Sequence, residues 1–205
     1  NKHEKAANEL DFLLNNYTNE LGNGVLSFIA MLGQQLYYIG EYDAAATILN
    51  GTISSLKKQQ APNELITPLD IIYKKVNALK GVSKTSVSRI SGKSNQIKMI
   101  NNLKCSKDGW YITGEINGKD EPFLLDTGAG INVISESFAQ KHKIRVLQDS
   151  IPISGGFGHS SFTKMGVIDS IIIGNIIYRN AIVGIAKDND ILPQNIQDSI
   201  GYKIN

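Results

Sequence analysis

The chain has 205 residues, 41% of them hydrophobic and 20% charged, with 21 Lys and Arg against 19 Asp and Glu. That length allows one large or two small domains, and the composition is ordinary for a globular protein. A net charge of +2 gives no nucleic-acid footprint, no apolar run approaches the 18 residues of a membrane span, and one cysteine (Cys105) excludes an internal disulfide.

The chain begins at Asn1. A removed signal peptide, which would make the protein secreted or periplasmic, accounts for such a start, and so does simple trimming. From Glu4 to Lys80 the apolar residues recur with helical spacing. Leu10, Leu13, Leu14 and Tyr17 make one stripe, and Leu21-Gly22-Asn23-Gly24 is a stop signal. A second helix carries Val25, Ile29, Leu32, Leu36 and Ile39. Gly40-Glu41-Tyr42-Asp43 then opens a third, with Ala44, Ala45, Ile48, Leu49 and Ile53. After Ala61-Pro62 a fourth runs to about Leu79 on Leu65, Leu69, Ile72 and Val76.

Leu32-Gly33, Leu36, Gly40, Tyr42, Ala45 and Leu49, with Pro62 near the repeat end, resemble a tetratricopeptide repeat. Ile29 stands where that family has Trp, and no second repeat follows. Such arrays need several stacked units, so this segment either packs on itself as a small bundle or meets a protein partner. A plain helical hairpin bundle explains the same pattern. Tyr37, Tyr38 and Tyr42 offer aromatic surface for a peptide, although packing between helices is the simpler role for them.

Residues 81–105 hold Lys84, Arg89, Lys93, Lys98 and Lys104 and no acidic residue, and Ser83, Ser86, Ser88, Ser91, Gly92 and Ser94 make the stretch linker-like. No aromatics are interleaved for stacking on bases, so a basic polar linker is expected rather than a nucleic-acid site. Ile97, Met99, Ile100 and Leu103 are suited to the first strand of the next domain.

From 106 onward the pattern is β. Trp110 to Ile116 alternates, Asn117-Gly118 is a strong hairpin signal, and Phe123-Leu124-Leu125 leads into Asp126-Thr127-Gly128-Ala129-Gly130. A carboxylate at the end of a buried strand is costly unless hydrogen bonds or a shared proton compensate it. Ser135 is a plausible N-cap for a short helix over Glu136 to His142. Gly155-Gly156-Phe157-Gly158 forms a glycine cluster between strand-like segments. Met165 to Ile173, Ile176 to Tyr178 and Ala181 to Ile185 read as three more strands, joined by Gly174-Asn175 and Arg179-Asn180.

The apolar run, Asp126-Thr127-Gly128 and the return to strand at Ile131-Asn132-Val133-Ile134-Ser135 resemble the catalytic loop of the retropepsin-like aspartic proteases. The resemblance covers residues 106–205. Taken with the helical segment and the basic stretch before it, it gives a multi-domain α + β chain: a helical, tetratricopeptide-like bundle (1–80), a linker (81–105), and an all-β closed barrel (106–205). It also implies an endopeptidase whose catalytic Asp126 pairs with its copy across a homodimer axis. Thr127, Gly128, Ala129 and Gly130 would form the active-site loop, and Gly155, Gly156, Phe157 and Gly158 a flap over a peptide or protein substrate. The chemistry calls for no cofactor and no metal. The alternative is a catalytically inactive, protease-like peptide-binding or scaffold protein acting through its helical domain. The family's second signature, two apolar residues then Gly before a helix, fits Ile182-Val183-Gly184 only loosely. Reading those residues as an earlier strand leaves the 106–205 segment without that signature and its helix.

Overall fold

The computed structural model describes residues 2–92, 96–97, 99–100, 110–126, 130–154 and 160–191. The chain divides into two compact units, Asn1–Lys84 with Asp149–Ile151, and Thr85–Gln148 with Pro152–Asn205.

The first unit is helical. Helices α1 (Lys2–Asn16), α2 (Thr18–Leu21), α3 (Val25–Ile39), α4 (Tyr42–Lys58) and α5 (Asn63–Asn77) follow in order, with a 3-10 turn at Gly22–Gly24. Helix α3 packs against α1, α4 and α5. Its small Gly33 sets the α4 crossing: a Cβ there would lie 2.9 Å from Leu49 Cδ1. Gly40 ends α3 in the left-handed conformation. Its N–H donates to the Tyr37 carbonyl and the Glu41 N–H to that of Leu36, the paired bonds of a Schellman cap. Ala45, Ala46, Leu49, Ile53, Ile66, Leu69 and Val76 form the core. The face of α5 is turned slightly from the expected stripe, since Leu65 is exposed and Ile66 takes the buried place. The tyrosines divide: Tyr42 is buried, Tyr37 lies against the core, and Tyr38 is exposed.

The second unit is β-rich. Its described strands are β1 (Ser86–Arg89), β2 (Trp110–Ile116), β3 (Lys119–Leu125), β4 (Val133–Ser135), β5 (Arg145–Ser154), β6 (Ser160–Ile173) and β7 (Ile176–Ala186). Two short helices, α6 (Glu136–Lys141) and α7 (Asp188–Ile191), follow β4 and β7. The long β6–β7 hairpin is the spine. One edge of β7 takes β1 over Ile176–Arg179 and β4 over Gly184–Ala186, while β6 takes β2 at Ile171 and Ile172 and also pairs with β5.

The closed barrel expected from many short strands is not what forms. Among the described strands the order is β1-β7-β6-β2-β3, with β1 and β3 at opposite ends, so the sheet stays open. The spine strands are longer than the sequence suggested. Arg179-Asn180 does not end a strand; Asn180 takes a positive φ and β7 continues in the same register, Ile168 opposite Ala181 and Ser170 opposite Arg179. Part of the basic stretch read as a linker, Ser86–Arg89, is strand β1, with all four residues exposed. Met99 makes an isolated bridge to Ile112.

Ile116, Phe138, Ala139, Ile144, Ile168, Ile171, Ala181, Val183 and Ile185 make the core of this unit, with Phe123 and Ile134 packed against it. Ala181, Val183 and Ile185 illustrate the two-residue period that sends one face of β7 inward.

Candidate active site

The β2–β3 hairpin turns at Asn117-Gly118, both with positive φ as a type I′ turn requires, and pairs in register from Ile116↔Lys119 to Trp110↔Leu125. Gly114 lets β2 sit tightly in place, since a Cβ there would lie 2.7 Å from the Phe123 ring and 2.8 Å from the Ile172 carbonyl oxygen. Asp126 follows the last residue of β3 directly and is exposed. The end of the strand is not buried as the apolar run suggested. Phe123 packs on the core, but Leu124 and Leu125 are 50% and 43% exposed, and Trp110 opposite Leu125 is 64% exposed. The reason is topological: β3 ends the order of the described strands, and Trp110, Leu124 and Leu125 lie at the far end of the hairpin from its pairing with β6 at Glu115 and Ile116.

Thr127, Gly128 and Ala129 lie outside the described residues, and so do Gly155, Gly156, Phe157 and Gly158. The flap residues fall in the connection between β5 and β6, two strands that pair with each other. Gly130 is described and exposed. The chain then leaves the Asp126 loop through β4, which runs parallel to β7 with Val133 opposite Gly184. The Gly184 N–H donates to the Asn132 carbonyl at 2.8 Å, tying the outgoing arm to the spine. Ile182-Val183-Gly184 is thus part of a strand and also the backing of the loop's exit.

Beyond β4 the Ser135 hydroxyl accepts from the Phe138 N–H at 3.0 Å, capping α6 as its position predicts. Asp188 accepts from the Ser137 hydroxyl and, at 3.4 Å, from the Ser137 N–H. The Ser137 hydroxyl bond is the main cause holding the Asp188 carboxyl below the usual carboxylate range, against a smaller opposing effect of burial.

One cluster near the site escaped sequence reasoning. Glu121, on β3, accepts from Lys141 Nζ and pairs with His142 Nε2, both at 2.8 Å on the same Oε1. The His142 side chain is fully buried and stacks on the Phe138 ring with centroids 4.3 Å apart. Burial acts to raise the Glu121 pKa, but the hydrogen bonds and charges of Lys141 and His142 outweigh it and hold the carboxyl below its ordinary value. The partners are about 20 positions apart, so no local signal joins them. Among the described residues no group of three His, Cys, Asp or Glu could hold a metal, and no helix is long and apolar enough to cross a membrane.

Residues 112–196 match the family model described as "gag-polyprotein putative aspartyl protease". A solved structure, a retropepsin-like aspartic protease from Rickettsia conorii, is 21% identical to this chain with a TM-score of 0.29, the match covering 50% of this chain and 68% of that one. No curated protein matches. The matched segment begins inside β2 and takes in the Asp126 loop, the β4–β7 pairing and the β6–β7 spine. Helices α1 to α5 lie outside it.

Proposed function

We propose that the protein is an aspartic endopeptidase in which Asp126 of each of two subunits supplies one carboxylate of the catalytic pair. The observation that carries this reading is Asp126-Thr127-Gly128, at the end of β3 and inside a segment matching an aspartyl protease family. The chain has a single Asp-Thr-Gly, whereas the chemistry needs two carboxylates. Two such groups in contact cannot both ionise cheaply, so one keeps a proton and polarises the scissile carbonyl while the other takes a proton from the attacking water. The resulting pKa values belong to the pair. A two-fold axis through the Asp126 loop delivers that arrangement from one gene product.

The exposed apolar residues around the loop favour the same reading. Leu124, Leu125 and Val133 lie on the arms that enter or leave it, Trp110 lies opposite Leu125 on the strand paired with the incoming arm, and each is at least a third exposed. A second copy of the β-rich unit would cover them. Thr127 and Gly128 would brace the loops and approach the substrate backbone, Ala129 and Gly130 would complete the turn, and Gly155, Gly156, Phe157 and Gly158 would close over an extended peptide. The helical unit would recruit protein partners or substrates.

Cleavage of a peptide library, followed by mass spectrometry from about pH 3 to 7, tests the reading. Cleavage by the wild-type chain and none by Asp126→Asn is expected. A folded, dimeric wild-type protein that cleaves nothing across that range would shift the reading to a peptide-binding or scaffold role.

A further inference from the structure

The loop that carries Asp126 has two described arms, and their anchorage differs. The outgoing arm is held firmly: β4 pairs with β7, and the Asn132 carbonyl is bonded to Gly184. The incoming arm, β3, lies at the end of the strand order with β2 as its hydrogen-bonded neighbour. That neighbour itself joins the spine at two register positions, Glu115↔Ile172 and Ile116↔Ile171, and just past its end the Asn117 N–H donates to the Ser170 carbonyl at 3.1 Å. Among the described residues these bonds all lie at the turn end of the hairpin, so backbone pairing alone leaves its other end, which delivers Asp126, weakly referenced to the core. Two side chains of β3 supply the missing reference: Phe123, packed on the core, and Glu121, bonded to Lys141 and His142 at the end of α6.

We propose that Glu121, His142 and Lys141 form a clasp that joins the two arms of the Asp126 loop at their base and positions Asp126 for catalysis. This rests on the endopeptidase reading above. Residues 122–140 run out from one side of the clasp and back to the other, and Asp126 lies within that span. Helix α6 follows β4 without a break, so a bond from β3 to His142 fixes the incoming arm relative to the outgoing one. The clasp is well placed to be stiff. His142 is enclosed and stacked on Phe138, a core residue, so its ring has little freedom. Glu121 offers one oxygen to two donors, and its backbone partner in β2 is Gly114, which has no side chain to compete. At the other end of α6, Lys164 pairs with Glu136 and Asp188 accepts from Ser137. Glu121, His142 and Lys141 are positioning residues, since each acts through the strand or helix that bears it.

Hydrogen exchange read by mass spectrometry, alongside steady-state kinetics, tests the clasp on the full chain with Glu121→Gln and Glu121→Ala. The amide variant keeps the shape and removes the charge, and it serves if the alanine variant folds poorly. Exchange across residues 122–135 should rise in Glu121→Ala and less in Glu121→Gln, with α3 to α5 unchanged. The value of kcat should fall about tenfold to a hundredfold, the scale of a small misplacement of a reacting group, with KM within about threefold. Unchanged exchange at 122–135, or an equal rise throughout the chain, would overturn the proposal whether or not the protein cleaves peptides. If wild type cleaves and both variants match its kcat, the clasp is refuted while the endopeptidase reading stands. If wild type cleaves nothing, that reading fails, and exchange at 122–135 alone decides whether the clasp holds the loop.

Discussion

Replacing Trp110 and Leu125 together by Ala tests whether a second subunit covers the end of the β2–β3 hairpin. The two residues face each other in register, and about two thirds of Trp110 and two fifths of Leu125 lie on the surface of the single chain. Removing exposed side chains costs the isolated unit little, typically within about 0.5 kcal/mol. A dimer centred on the Asp126 loop would feel it far more. If the partner covers on the order of 100 Å² of this surface per chain, burial contributes about 2.5 kcal/mol per chain at about 25 cal/mol per Å². The two-fold axis doubles that to about 5 kcal/mol. Association has its own costs, so the area figure is an upper bound on the measured change. A weakening of the dimer between tenfold and about a thousandfold is therefore expected. Sedimentation equilibrium of the wild-type and double-variant chains reads it directly, and thermal melts check that the fold is kept. A double variant that dimerises as tightly as wild type, with its melting temperature unchanged, would refute this interface.

Two further predictions concern the scaffold of the site. Gly114→Ala forces a Cβ against the Phe123 ring and the Ile172 carbonyl, so β2 must move from β6. Overpacking of about 1–3 kcal/mol, offset by less than about 1 kcal/mol of unfolded-chain entropy, should lower the urea midpoint by about 0.5–1 M. The single tryptophan, Trp110, lies on β2 and reports it by fluorescence, and an unchanged midpoint would contradict the close packing. Glu121 gives a pH signature. Its folded pKa is depressed below the ordinary 4.5, so the stability it contributes is fully present above that pH and is lost as pH falls through the folded value. The difference in unfolding midpoint between wild type and Glu121→Gln should be largest near neutrality and shrink on acidification. A difference that grows as the pH drops would contradict the direction of the shift.

Local signals in the sequence carried much of the fold. The four long helices were legible from apolar spacing because each buries one stripe, and Gly40 marks the end of α3 because its φ of 81° suits glycine. Asn117-Gly118 and Ser135 announce the hairpin and the cap of α6 for equally local reasons. Strand β1 was illegible because a four-residue, fully exposed edge strand has no burial pattern to betray it. The continuity of β7 was hidden because Asn180, a turn-type residue, takes a positive φ inside a strand whose register is held by β6 on both sides of it. Sheet closure could not be read either, since it depends on which strands share the edges of the β6–β7 spine. At the site, Asp126 stood out through its own motif. Glu121 and His142 did not, because their meeting is made by the packing of α6 against the core.

Mixed dimers give the most direct test of a catalytic pair shared between subunits. Wild-type and Asp126→Asn chains are combined at fixed total concentration, allowed to exchange, and assayed on a peptide that the wild type cleaves. If each site needs an Asp126 from both chains, activity follows the square of the wild-type fraction and an equal mixture retains about a quarter of it. Activity that falls in direct proportion, with about half retained, would show that each chain's Asp126 works alone, and about three quarters retained would show that one Asp126 serves a dimer's site; either would contradict the shared pair.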